Sequence, residues 1–184
     1  MAVPKLVFTL RGLLVSPPLI FAFFCRYKEM ENDWLVWPIG ASSIFLGIIL
    51  RIWARWYKQP ARHQLVTAGP YSYVRNPLYI SNTLICLGAV FASRLFWLAP
   101  VMFVWCIIAY SFVIRYEENL LLQKYGDQYR EYMTKISRWI PTSHIQGNTS
   151  EGRNPSILFV IFEEGRNALI LVLFILKEFT HKWF

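Results

Sequence analysis

The sequence predicts an all-α integral membrane protein of about five transmembrane helices, two of them paired in a tight helical hairpin. Three observations lead there. Charged residues make up 16% of the 184-residue chain and apolar residues 55%, whereas soluble domains average about 25% charged. The apolar residues fall into runs close to the ~20 residues that a spanning helix needs. Finally, the net charge of +8 is spread over basic residues flanking those runs. That distribution fits anionic headgroups and the positive-inside bias, and it lacks the continuous basic stripe of a nucleic-acid footprint.

Taken in order, the first run covers about Leu6 to Cys25 and is interrupted by Arg11 and Pro17-Pro18, which predicts a kinked or tilted helix. It has no short apolar region with a small-residue cleavage site, so it reads as a retained span. The second run, about Trp34 to Trp53, is the cleanest. Trp34, Trp37, Trp53 and Trp56 lie near its ends as an aromatic belt. A basic connector from Ala54 to Asn76 precedes two further runs, Leu78 to Ser93 and Leu95 to Ile114. Little more than Arg94 separates them, which predicts the hairpin. A charge-dense segment, Arg115 to Pro141, then ends a membrane domain of residues 1–141. A polar linker (142–156) leads to a C-terminal apolar or amphipathic helix in 157–184, whose run Ile157 to Leu176 carries Glu163, Glu164 and Arg166. Glu163 and Arg166 have the spacing to pair on one helical face.

Loop charges set the orientation. Residues 51–75 hold Arg51, Arg55, Lys58, Arg62 and Arg75 with no acid, and 115–141 hold five basic residues against four acids. Both segments are therefore expected on the cytoplasmic side. The Asn148-Thr149-Ser150 sequon would go unused there. Cys25, Cys86 and Cys106 sit in apolar runs without metal-ligand spacing, so buried free thiols are expected, and no metal site.

This topology brings two polar segments to the mouth of the hairpin. In the first, Asn76-Pro77 reads as a helix start, asparagine as N-cap and proline at N1. A helix amino terminus also offers N–H groups to an anion, which Arg75 would reinforce. Gly69-Pro70 supplies a turn. Tyr71, Tyr73 and Tyr79 read either as ligand contacts or as ordinary interfacial anchors. In the second segment, Arg115 and Glu118 lie one turn apart and have the spacing to pair. Glu117 and Glu118 point about 100° apart, so only one readily faces a given cavity. Tyrosines 125, 129 and 132 have an amphipathic spacing that also suits a helix lying on headgroups, with Arg138 and Trp139 as further anchors.

Together, His63-x-Leu65-Val66-Thr67-x-Gly69-x-Tyr71, Arg75-x-Pro77-x-Tyr79, Glu117-Glu118-x-x-Leu121, Gly126-x-x-Tyr129-x-x-Tyr132 and Pro141 resemble one family. It is that of the integral-membrane isoprenylcysteine carboxyl methyltransferases and their phospholipid methyltransferase-like relatives. The resemblance covers about Leu46 to Pro141 and implies S-adenosylmethionine as methyl donor, held in a cytoplasmic-side pocket. It further implies that His63, Leu65, Val66, Gly69, Tyr71, Arg75, Asn76, Pro77, Tyr79, Glu117 and Glu118 line the cofactor site. Glu118, Glu117, Arg115 and Arg138 are the implied catalytic group, the two arginines as candidates for holding the acceptor. The chain has no G-x-G that would make a competing nucleotide loop. One position departs: the family's histidine between arginine and proline is Asn76 here. Asparagine hydrogen-bonds and caps a helix, but it does not carry a proton near neutral pH as imidazole does.

Methyl transfer demands alignment of nucleophile, methyl carbon and sulfur, so positioning and exclusion of water are the protein's main contributions. The expected acceptor is a lipophilic molecule within the bilayer. A carboxylate, as on a prenylated cysteine, is already nucleophilic and needs only an arginine to orient it. An amine, as on phosphatidylethanolamine, needs a base, for which Glu117 or Glu118 is available. The rival from another class is a catalytically silent membrane protein that keeps the fold, for which Asn76 is the best support.

Overall fold

The computed structural model describes residues 33–58, 64–142, Leu158 and Val160. The expected first helix, Cys25, His63, the linker past Thr142 and its sequon, and Glu163, Glu164 and Arg166 lie outside the described residues.

Four α-helices and one 3-10 turn make up the described fold, and no strand occurs among these residues. Helix α1 runs Asp33–Lys58, α2 Pro77–Ala92, α3 Leu98–Tyr125 and α4 Asp127–Lys135, with the 3-10 turn at Gly69–Ser72. Helix α1 extends past the expected end at Trp53, so Arg55 and Lys58 form its last turn. There they face the negative end of the helix dipole.

Two helices are long and apolar enough to cross a membrane, Pro38–Lys58 within α1 and Leu98–Tyr125. The sequence predicts three full spans over this region. The third, α2, has 16 residues, about 24 Å at 1.5 Å per residue, against a hydrocarbon core of ~30 Å. The hairpin forms as expected, but its turn is broader than Arg94 alone and occupies residues 93–97. Ile39, Phe45, Leu46 and Ile49 on α1 and Val101, Val104, Ile108 and Phe112 on α3 are exposed. Apolar side chains turned outward along two such helices suit contact with lipid and not with water.

Contact between α1 and α2 depends on small residues. A Cβ on Gly88 would lie 2.7 Å from the Gly40 carbonyl oxygen, and one on Gly47 would lie 2.9 Å from that of Ser81. Glycines at these places let the two backbones approach, the usual device where lipid supplies no hydrophobic drive between helices. Ser43 Oγ donates to the Leu84 carbonyl at 2.9 Å, and Arg51 donates to Asn82 Oδ1. The hairpin's own core is Cys86 and Val90 from α2, Leu95 from the turn, and Met102, Cys106, Tyr110, Val113 and Ile114 from α3. Cys86 and Cys106 are buried free thiols, as expected.

Helix α3 does not stop at Ile114. It carries Arg115, Glu117 and Glu118 onward to Tyr125 as one continuous helix. Gly126, at φ +54, then breaks it and launches α4. Leucine at Gly88 is expected to push α1 and α2 apart and cost about 1–3 kcal/mol. Thermal unfolding in detergent should show a lowered midpoint for Gly88→Leu and a nearly unchanged one for Phe45→Leu on the exposed face.

Candidate functional site

The polar loop after α1, the start of α2, the projecting end of α3 and α4 enclose a cavity of about 290 Å³. That is near the lower end of small-molecule sites. Leu65, Val66 and Tyr71 form one wall; Arg75, Asn76, Pro77 and Tyr79 form a second. The third comes from Glu117, Leu121 and Tyr125 of α3 and Tyr129 and Tyr132 of α4, and Lys58 and Lys124 also border the space.

The fold shapes these walls through a few contacts. Gly69 takes φ +61, a region open to glycine, and a Cβ there would meet the Tyr57 ring at 2.6 Å. The 3-10 turn that follows buries Tyr71, whose carbonyl accepts a 2.7 Å hydrogen bond from the Tyr132 hydroxyl. The Tyr71 hydroxyl itself is buried with no partner among the described residues, as are Arg75 Nε and Asn76 Nδ2. Asn76 stands at the N-cap position of α2 with Pro77 following, as the sequence predicts, but its side chain makes no capping bond. With φ −128 and ψ 58 it lies outside the β-region geometry that a capping side chain uses. The amide is therefore left in the pocket wall.

The neighbouring glutamates part company. Glu117 faces the cavity, where its Oε2 accepts from the Tyr79 hydroxyl at 2.9 Å and its Oε1 lies 3.2 Å from Lys58 Nζ. The Tyr79 ring stacks at a tilt on Tyr110, 5.0 Å between centroids. Glu118 is buried behind the wall. It accepts from Arg138 through both oxygens, from Nε at 3.2 Å and from Nη2, and Arg75 Nη1 lies 3.3 Å from its Oε1. The expected Arg115–Glu118 pair does not form, because Glu118 is already taken by two arginines from other segments. Arg115 is exposed on α3 and off the cavity wall.

Eight sequence-predicted residues thus line the cavity: Leu65, Val66, Tyr71, Arg75, Asn76, Pro77, Tyr79 and Glu117. Gly69, Glu118 and Arg138 lie behind it. Tyr71 and Tyr79 are buried, so they are not interfacial anchors, whereas Tyr73 is exposed. The helix whose tyrosine spacing also suits headgroups supplies part of the third wall, with Tyr129 and Tyr132 buried against Leu65 and Ile136. Sequence reasoning missed Lys58, Gln64, Leu78, Leu121, Lys124, Tyr125, Tyr129 and Tyr132 as lining residues. The tyrosine spacing was a usable signal for the last three. No group of three or more His, Cys, Asp or Glu side chains is placed to hold a metal ion among the described residues.

What the fold and site define is a helical membrane protein with a buried, donor-rich pocket at the end of its hairpin. A phospholipid methyltransferase family profile matches residues 34–128, just over half of the chain, and the protein belongs to that family. Among curated relatives, the chain is similar to the nickel-cobalt-cadmium resistance protein NccN of Alcaligenes xylosoxydans xylosoxydans, at 24% identity over 132 residues (70% of this chain, 62% of NccN). It is similar to the cobalt-zinc-cadmium resistance protein CzcN of Cupriavidus metallidurans, at 29% over 119 residues (62% of this chain, 55% of CzcN). It also resembles protein-S-isoprenylcysteine O-methyltransferase B of Arabidopsis thaliana, at 28% over 143 residues (71% of this chain, 72% of that protein). The chain spans about three-fifths of the length of the first two. No solved structure matches significantly.

Burial, followed by the nearby Glu117 carboxylate, pushes the Tyr71 phenol well above its ordinary range. Burial likewise raises Tyr129, helped by Glu118, and Tyr132, helped by Tyr129. Unfolded tyrosines ionise near pH 10. A raised folded-state pKa means that the neutral phenols contribute stability below that pH, and the contribution fades as pH climbs beyond it. Alkaline titration should show phenolate absorbance from exposed tyrosines near pH ~10, with Tyr71, Tyr129 and Tyr132 ionising only together with loss of helical circular dichroism. Ionisation of all tyrosines near that pH with helix retained would contradict this assignment.

Proposed function

We propose that the protein is an integral-membrane methyltransferase that uses S-adenosylmethionine in this pocket to methylate the polar end of a lipid-like acceptor, such as the carboxylate of a prenylated cysteine. One observation carries the reading. Tyr71 Oη, Arg75 Nε and Asn76 Nδ2 are buried, and unpartnered among the described residues, on side chains that line one cavity with Glu117 and a set of tyrosines. Unsatisfied buried donors cost about 1–3 kcal/mol each, so their convergence suits a ligand rich in acceptors. Family membership supports methyl transfer, and the likeness to an isoprenylcysteine O-methyltransferase supports a carboxylate acceptor.

The residues present fit the proposed donor. Tyr71, Arg75 and Asn76 would hold its carboxylate or ribose hydroxyls, Glu117 its ammonium, and the faces of Tyr125 and Tyr129 its sulfonium. When bound, it supplies a methyl group on positively charged sulfur, which passes to a nucleophile as the carbon–sulfur bond breaks. Leu65, Val66 and Leu121 give the cavity apolar walls that exclude water. The basic loops on either side of the pocket support a cytoplasmic-side location, and the exposed apolar faces of α1 and α3 support entry of the acceptor from the bilayer.

The state of Glu117 bears on the acceptor. A carboxylate oxygen takes a methyl without releasing a proton, whereas an ammonium must first lose one to a base. Both oxygens of Glu117 are engaged, by Tyr79 and Lys58, which favours the carboxylate. The family's description as phospholipid methyltransferases favours a phospholipid amine as the second reading.

Detergent-purified protein is expected to bind S-adenosylmethionine; absence of binding by folded protein would overturn the proposal. Membranes incubated with labelled donor should yield label in a base-labile methyl ester, while label in a choline-type headgroup would move the assignment to an amine. Tyr71→Phe should weaken donor binding about tenfold and leave the ligand-free unfolding midpoint equal or higher, because it deletes a hydroxyl with no partner.

A further inference from the structure

Residues 136–142 form a strap across the back of the pocket. Three hydrogen bonds fasten it to the 71–75 loop: Arg75 N–H donates to the Ser137 carbonyl at 2.9 Å, and the Tyr73 carbonyl accepts from Thr142 N–H at 2.8 Å and from the Thr142 hydroxyl at 3.1 Å. Between strap and loop stands Glu118 of α3, its side chain only 7% exposed, forked by Arg138 on one side and met by Arg75 on the other. Arg75 is thus held at its backbone by the strap and at Nη1 by the carboxylate. Its Nε is buried, and unpartnered among the described residues, on a side chain that lines the cavity. Glu118 and Arg138 are absent from the cavity lining.

We infer that Glu118 and Arg138 are positioning residues that touch neither donor nor acceptor, and that they act by fixing the Arg75 guanidinium for the pocket. The chemistry supports this division. A bidentate arginine–carboxylate fork sets the plane of the carboxylate, and that plane sets where the second arginine rests. Two arginines against one glutamate leave a net single positive charge, and Arg75 delivers it to the pocket side. The inference rests on the methyltransferase reading only for the identity of the ligand; the mechanical link from strap to Arg75 is independent of it.

Two measurements on the full chain in detergent test the inference. The first follows the Arg75 side-chain Nε–H signal in nitrogen-15 correlation spectra, assigned by its loss in Arg75→Lys. In wild type this signal should be slowly exchanging and dispersed. In Glu118→Gln and Arg138→Leu it should collapse toward the free-arginine position, and Arg138→Lys should restore it in part. An Arg75 signal unmoved in Glu118→Gln and Arg138→Leu would overturn the inference. The second titrates S-adenosylhomocysteine: Arg138→Leu should raise its dissociation constant about tenfold, with Arg138→Lys intermediate and helix content unchanged. Unaltered affinity in Arg138→Leu would also count against it. Should Glu118→Gln fail to fold, Arg138→Leu still decides, since Arg138 is partly exposed. If the wild type binds no S-adenosylhomocysteine, the methyltransferase reading fails, and the spectroscopic arm still judges the positioning role.

Discussion

The rest of the site depends on one buried carboxylate. Glu118 lies where three segments distant in sequence converge, namely the loop ending at Arg75, the projecting end of α3, and the strap carrying Arg138. Removing one partner from a buried ion pair typically costs about 3–5 kcal/mol, because the other charge is stranded. The three segments are therefore tied to one another by charge as well as by the apolar cluster of Leu65, Tyr129, Tyr132 and Ile136. The loop is held further by the Tyr132 hydroxyl on the Tyr71 carbonyl and the Ser72 hydroxyl on the Gly69 carbonyl.

That carboxylate reaches its place because α3 is a single rigid rod. Its apolar half packs on α2 through Val90, Met102, Cys106 and Val113, and its polar half continues the same helix to Tyr125. Adjacent residues on a helix differ in direction by about 100°. Glu117 and Glu118 accordingly serve two faces, one toward the cavity with Tyr79 and Lys58, the other toward the arginines. The close α1–α2 contact at Gly47 and Gly88 supports the same arrangement at one remove. It fixes the end of α1, and hence Lys58, relative to the start of α2.

Much of this was legible in the sequence, for identifiable reasons. Apolar runs of 16 to 20 residues and a proline after asparagine reveal helices and a helix start because local composition decides them. The hairpin was legible because no long loop separates its two runs. What local reasoning could not reach is where charged side chains go once several segments compete for them. Arg115 has the correct spacing for Glu118, yet tertiary partners displace it. Lys58 reads as connector until α1 is seen to continue to it, and the tyrosines of α4 read as headgroup anchors until Leu65 and Ile136 are found against them.

Asn76 brings these lines together. By composition it is among the best capping residues, and it occupies the cap position, yet its oxygen makes no capping bond and its buried Nδ2 finds no partner among the described residues. A scaffold kept only for its shape gains nothing from a buried, unsatisfied amide beside a buried, unsatisfied phenol and guanidinium nitrogen. The arrangement makes energetic sense when the missing acceptors arrive with a ligand. On that ground the substitution at this position argues for a retained binding site more than for a silent one, with hydrogen bonding in place of proton transfer as the role that asparagine can perform.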